Sequence, residues 1–243
     1  MEDRPISPLT AENKCATVDW KQQCAALIPG FNAGATIAEV VRGVRAQLPT
    51  VFVVDDGSTD DTAERAAAAG AEVVRHATNR GKGAALRVGF QHLRDRGFAW
   101  ALMLDGDGQH AAEDIPAFFQ RAEETGAALV VGNRMGGADG MPWLRRRVNG
   151  LMSRQLSRLT GVALADSQCG FRLVNLVALA PLQLSADRFE IESEMLVALL
   201  GARQRVEFVP VQVIYKTSAS EIHPVVDTWR WVRWRWAQRR RKF

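Results

Sequence analysis

Val51-Phe52-Val53-Val54-Asp55-Asp56-Gly57-Ser58-Thr59-Asp60 decides the fold. Its first four residues read as a short buried strand. Two carboxylates and a turn follow, and Ser58 or Thr59 is a natural N-cap for a helix reaching Ala69, with acidic residues in its first turn. A strand that empties into an acidic turn and then a helix is half of a β-α-β unit, and the pattern repeats on both sides. Before it, residues 24–28 read as a strand and 35–47 as a helix. After it come a strand at 72–75, a loop at 78–83 and a helix to about Arg96. A strand at 101–104, a helix at 113–124 and a strand at 129–131 follow. Five strands alternating with helices predict an α/β fold with a mostly parallel, Rossmann-like central sheet flanked by helices. Further on, 144–160 reads as a basic helix, 166–174 as a loop entering a strand, 190–200 as a helix and 206–215 as a strand.

The chain has 243 residues, 47% of them hydrophobic and 24% charged, which excludes a disordered or collagen-like protein. With no repeat and no low-complexity linker, one domain is expected over 23–224, between a polar arm (1–22) and a basic, tryptophan-rich segment (225–243). The net charge of +4 divides unevenly: 225–243 carries +6 and the rest −2. Cys15, Cys24 and Cys169 form neither a zinc pattern nor a disulfide framework, so a reducing cytoplasm is the expected setting. Residues 1–10 contain no apolar run of a signal peptide, and no apolar stretch reaches the roughly 18 to 20 residues of a membrane span.

Ligands of open α/β sheets bind beyond the carboxyl ends of strands, and two strands here end in acidic pairs. Asp55-Asp56 repel each other unless a cation or hydrogen-bond donors compensate. Asp105-Gly106-Asp107-Gly108-Gln109-His110 places alternating oxygen ligands on a flexible turn, suited to a hard divalent cation that also holds phosphate. A calcium EF-hand is excluded, because His110 stands at the sixth loop position and Pro116 at the twelfth. Gly81-Lys82-Gly83 completes neither a P-loop nor a dinucleotide fingerprint, since Leu86 takes the last glycine's place. Lys82 meeting a phosphate at a helix start and a plain turn both remain open there.

Ile28-Pro29-Gly30-Phe31-Asn32, Val54 to Asp60, Asn79-Arg80-Gly81-Lys82-Gly83, Asp105 to His110, Gly132-Asn133-Arg134 and Asp166-Ser167-Gln168-Cys169-Gly170-Phe171-Arg172 follow in that order. Together they resemble the family 2 glycosyltransferases, in particular the branch of dolichyl-phosphate mannose and glucose synthases and their bacterial relatives, over residues 24 to about 228. The resemblance implies a GT-A fold with a UDP- or GDP-sugar across the sheet's carboxyl edge. Pro29, Phe31 and Asp56 would surround the base and ribose, and Asp55, Lys82, Asp105, Gly106 and Arg134 would complete the donor site. Asp105, Asp107 and Gln109 would hold Mg2+ or Mn2+ against the diphosphate, whose charge grows as the glycosidic bond breaks. Arg134 and Arg172 match arginines that meet donor or acceptor phosphates.

The implied reaction is inverting transfer to a lipid-linked, polyprenyl-phosphate-like acceptor. A phosphate acceptor is already an anion and needs no base. The alternatives are a hydroxyl of a glycan or glycolipid, whose proton a carboxylate must take, and a non-catalytic sugar-nucleotide or lipid-binding homologue. Asp166 and Arg172 are the catalytic candidates, with pinning of the 168–172 loop as the other reading of Asp166. Glu192, Glu194 and Lys216 are the acceptor-side candidates, with ordinary surface charge as the alternative for at least one glutamate. Two positions depart from the family pattern: Ala33 replaces a usual acidic residue, and Ser220 precedes Glu221 rather than a basic residue.

The 225–243 segment holds four of the seven tryptophans, interleaved with arginines. Drawn as a helix, Val225, Trp229, Val232 and Trp236 share a stripe, with Trp231 and Trp234 on another side. Contact with an anionic membrane on the inner face of the cell membrane and packing on the domain are both open readings. Basic residues among aromatics also suit stacking on nucleic acid, although no nucleic-acid partner is expected.

Overall fold

Apolar strands alternating with amphipathic helices form one sheet covered on both faces. The structure is a computed structural model that describes residues 18–136, 141, 143–214 and 230–234. In chain order the elements are α1 (Trp20–Gln23), β1 (Cys24–Gly30), α2 (Ile37–Arg45), β2 (Val51–Asp55), α3 (Thr62–Ala68), β3 (Glu72–Arg75), α4 (Lys82–Asp95) and β4 (Trp100–Met103). A 3-10 turn (Ala112–Asp114), α5 (Ile115–Thr125), β5 (Leu129–Asn133), α6 (Trp143–Thr160), β6 (Arg172–Asn175), α7 (Leu176–Leu179), α8 (Glu190–Gly201) and β7 (Val206–Pro210) complete it.

The sheet has seven strands in the order β3-β2-β1-β4-β6-β5-β7. Pairing is parallel except around β6, which runs antiparallel to both β4 and β5. Strand order reverses at β1, between β2 and β4, which is where open α/β sheets leave a crevice. The central strands are buried throughout, as helix cover on both faces requires. Ile37, Val41 and Val44 form the buried stripe of α2. On α4, a Cβ at Gly89 would overlap the Leu27 side chain, so that glycine lets the helix sit close on β1.

Local chemistry explains where the elements differ from the sequence reading. The helix expected to be capped by Ser58 or Thr59 starts at Thr62, where Asp60 accepts from the backbone N–H of residue 62. Pro116 fits the first turn of α5, and a 3-10 turn precedes it. The strand expected to reach residue 215 ends at Pro210. The chain then crosses the acidic loop: Val213 bridges His110, Ile214 N donates to Gln109 O at 3.0 Å, and Gln212 N donates to Asp114 Oδ2 at 2.8 Å.

The ends of the domain also shift. Trp20, assigned to the arm, stacks on Phe119 at 4.5 Å, meets Trp100 edge-on at 5.3 Å and donates to Glu123 Oε1 at 2.6 Å. The domain therefore reaches back to Trp20, and residues 1–17 lie outside the described residues. Of the C-terminal segment, 230–234 is helical. Trp231 is 3% exposed in the core and donates to Ser193 Oγ at 2.9 Å, and Trp234 packs against the same core. Val232, from the stripe expected on a membrane, is exposed, while Trp229, Trp236 and Lys216 lie outside the described residues. No helix among the described residues is long and apolar enough to cross a membrane.

Replacing Trp231 by Ala is expected to lower the unfolding free energy by about 3–5 kcal/mol in urea denaturation. An unchanged midpoint would show that the segment does not pack on the domain.

Candidate active site

The carboxyl ends of β1, β2 and β4 open into a cleft of about 580 Å³. Pro29, Phe31, Asp56, Lys82, Asp105, Gly106, Asp107, Gln109 and Arg134 all line it, so nine of the residues singled out from sequence converge there. Asp56 is 3% exposed at the end of β2. Its Oδ1 pairs with His76 Nδ1 at 2.7 Å and accepts from Arg80 N at 3.0 Å, and its Oδ2 accepts from Gly81 N at 2.6 Å. These donors hold the carboxylate rigidly at the cleft wall. Asn32, at φ 48°, donates its backbone N–H to Ser58 Oγ at 2.9 Å, and its Oδ1 accepts from Thr59 N at 3.0 Å. The first two sequence motifs are thereby tied together.

Lys82 organises the opposite wall. Its ammonium is 2.5 Å from Asp105 Oδ1 and 2.6 Å from Glu192 Oε1. Burial works against the charge, but Asp105 and Glu192 outweigh it and hold the lysine above its ordinary range. Asp105 likewise lies well below the usual carboxylate range: burial opposes ionisation, and Lys82 and His110 overcome it. His110 Nε2 is 3.5 Å from Asp105 Oδ2. Asp107 moves the other way, raised by burial and by the charge of Asp105. A Cβ at Gly170 would collide with the Asp105 carboxylate, so the 166–172 loop packs against it only as glycine.

Several candidates are held by other protein groups. Asp55 is fully buried, accepts from Ser58 N at 2.9 Å and has Arg75 Nε 3.0 Å from Oδ2, close enough to pair charge but not aligned for a hydrogen bond. Asp166 is also fully buried and takes Arg134 in a two-pronged pair, Nε to Oδ2 at 2.8 Å and Nη2 to Oδ1 at 3.0 Å. That geometry fits pinning and leaves no free base. Arg172 is fully buried and donates to the carbonyls of Cys169, Glu192 and Ser167 at 2.7, 2.6 and 2.9 Å, so it braces the loop against α8. Glu194 accepts from Ser185 N, Ser185 Oγ and Ala186 N. Glu192 reaches the site only through Lys82.

The start of α4 is not open to a phosphate either, because the N–H groups of Gly83 and Ala84 donate to the Asp187 carbonyl. Lys82 itself remains on the cleft wall. Sequence reasoning missed His76, Arg145 and Arg188. His76 follows β3 directly, a position parallel to the two acidic strand ends, and that was a usable signal. Arg145 and Arg188 arrive from α6 and from the loop before α8, whose approach no local pattern reveals.

The acidic loop fits a divalent cation. Among the described residues no three His, Cys, Asp or Glu side chains form a closed cage. An open pair of carboxylates is what Mg2+ or Mn2+ sharing its shell with substrate phosphates and water requires. The raised Asp107, repelled by Asp105, is the charge that such an ion would relieve.

The profile of glycosyl transferase family 2 matches residues 25–179. The chain belongs to glycosyl transferase family 2. This family 2 glycosyltransferase is 34% identical over 183 residues to the polyprenol monophosphomannose synthase of Mycolicibacterium smegmatis, covering 70% of this chain and 68% of that one. It is 32% identical over 209 residues to glycosyltransferase AglJ of Haloferax volcanii, covering 83% and 67%. In fold it resembles glucosyl-3-phosphoglycerate synthase from Mycobacterium tuberculosis, solved with Mn2+, UDP and phosphoglyceric acid. The TM-score is 0.69 at 21% identity, over 87% of this chain and 75% of that one. The seven-stranded sheet is thus a GT-A fold.

In this glycosyltransferase the Arg134–Asp166 pair carries the loop that seats Asp105. Arg134 hydrogen bonds and charge hold Asp166 below its ordinary value despite burial. The unfolded chain, at about pKa 3.9, then binds the proton more tightly than the folded one. The stabilisation is complete above that value and is lost as pH falls through the lower folded pKa. Asp166→Asn should cost about 3–5 kcal/mol at neutral pH. It should also flatten the loss of stability below about pH 4, read by urea melts across pH. A variant as stable as the parent would contradict the buried pair.

Proposed function

We propose that the cleft transfers a hexosyl group, with inversion, from a nucleoside diphosphate sugar to the phosphate of a polyprenyl-type lipid. The observation that carries the acceptor class is the fate of the carboxylates. Among the described residues, those lining the cleft are Asp56, Asp105 and Asp107, at the base and diphosphate walls. Asp166, Glu192 and Glu194, from which a base for a hydroxyl acceptor would be drawn, are each held by Arg134, Lys82 or the 185–186 backbone. Arginines 134, 145 and 188 line the same cleft, and Arg134 Nη1 makes no hydrogen bond among the described residues. A site rich in guanidinium groups and poor in free bases suits an anionic phosphate acceptor.

Two relatives support this reading: the M. smegmatis synthase by its name, and the UDP-N-acetylglucosamine–dolichyl-phosphate N-acetylglucosaminyltransferase of Methanococcus voltae, 29% identical over 212 residues. The bond between the anomeric carbon and the diphosphate breaks with its electron pair on the leaving oxygen. A phosphate oxygen of the acceptor supplies the pair for the new bond from the opposite face, and no proton has to move. Asp56, rigid under three donors, orients the nucleoside together with Phe31 and Pro29. Lys82 keeps Asp105 ionised and aimed. A divalent ion held by Asp105 and Asp107, with Gln109 beside them, would supply charge neutralisation for the departing diphosphate. A lipid acceptor of this kind fits an enzyme that works at a membrane surface.

The test is a thermal-shift screen of UDP- and GDP-sugars with Mg2+ or Mn2+, followed by transfer from the stabilising donor to polyprenyl phosphate. Asp107→Ala is expected to lower kcat about 10²–10³-fold and to abolish the metal dependence. Full activity of that variant at low metal would remove the metal assignment. Absence of transfer with a donor that binds would favour a non-catalytic homologue.

A further inference from the structure

The helix α6 packs Met152, Leu156 and Leu159 on the core yet also carries large apolar side chains on its outward face. Its buried positions are Asn149, Ser153 and Leu156, two of them polar. Trp143, Leu144 and Leu151 are instead 68%, 58% and 56% exposed. At 3.6 residues per turn, these three share an outward arc of about 100° with Arg147, Arg154 and Arg158. The Arg147 guanidinium lies 5.5 Å over the Trp143 ring. Residues 141–165 contain five arginines and no acidic residue. A shallow concavity on this face is lined by Met135, Trp143, Leu151 and three arginines, 146, 147 and 154. The opposite flank of the same helix brings Arg145 into the catalytic cleft.

We infer that this face of α6 docks the enzyme on an anionic lipid bilayer, with Trp143, Leu144 and Leu151 inserted at headgroup depth and the arginines on lipid phosphates. Tryptophan prefers that depth, leucine gains by leaving water, and arginine stems lie along the apolar layer while the guanidinium groups meet anions. Charge complementarity singles out a negative surface, and the exposed leucines distinguish it from nucleic acid, whose stacking needs planar side chains. The inference adds a second membrane contact to the one considered for the C-terminal segment, where Trp231 packs in the core. It also brings the cleft to the bilayer through Arg145. It deepens the lipid-acceptor reading and rests on it for the presence of a bilayer.

The test is flotation of the full-length protein with vesicles of phosphatidylcholine, with and without phosphatidylglycerol, in the absence of donor and metal. The expected result is binding that requires phosphatidylglycerol. Trp143→Ala with Leu151→Asp should weaken it about tenfold or more, with circular dichroism and melting temperature unchanged. Arg239→Glu, Arg240→Glu and Arg241→Glu together should leave most of it. The inference is overturned if the α6 variant floats like the parent or the C-terminal variant alone loses binding. It is overturned equally if the α6 changes abolish self-association or RNA binding while flotation persists. Flotation through α6 without any sugar transfer would overturn the proposed reaction and not this surface. Transfer to lipid phosphate with no flotation would do the reverse.

Discussion

Lys82, buried between Asp105 and Glu192, is the contact on which the rest of the site depends. Three elements meet at one ammonium group: the start of α4, the loop after β4 and the first turn of α8. Without it the two carboxylates would repel each other and shift toward their neutral forms. Removing the cation would leave the buried Glu192 carboxylate uncompensated, which is more costly than the pair is stabilising. The surrounding backbone has adapted to this contact. Gly81 and Gly83 admit the 186–187 backbone, and Gly170 admits the Asp105 carboxylate, each at a distance no Cβ would allow.

The same economy explains the acceptor side. Arg134 reaches the cleft only because Asp166 holds two of its nitrogens, and Arg172 holds the loop that carries Asp166 through three carbonyls. These residues form a polar network around Cys169, whose thiol burial pushes up to about 12. Such networks rigidify a site as their members are satisfied. They also explain why motif residues need not touch substrate. In this chain the 166–172 motif is scaffold for the arginine and for Asp105.

Much of this was legible in the sequence. Apolar runs ending in Asp55-Asp56 and Asp105-x-Asp107 located two strand ends that line one cleft, because side-chain periodicity and turn chemistry are local properties. The antiparallel β6 was not legible, since strand direction is set by pairing across long sequence separation. Nor could spacing distinguish Asp166 as base from Asp166 as anchor: the difference lies in Arg134, 32 residues away. The tail kept two readings for a related reason. Alternating tryptophan and arginine reads equally well as membrane anchor or core packing, and Ser193 beneath Trp231 shows packing for that tryptophan. On α6 the basic character was visible, but which face was left uncovered required the fold.

Among the described residues of the cleft the carboxylates are engaged at the donor side or by other protein groups, which fits an acceptor that is already an anion. The most direct test of this reading offers purified enzyme, with its donor and divalent cation, polyprenyl phosphate or the matching polyprenol, and identifies the product by mass spectrometry. The expected product is a glycosyl phosphodiester from the phosphate alone. Glycosylation of the free alcohol at a comparable rate would contradict this reading, because it requires a group that takes the hydroxyl proton.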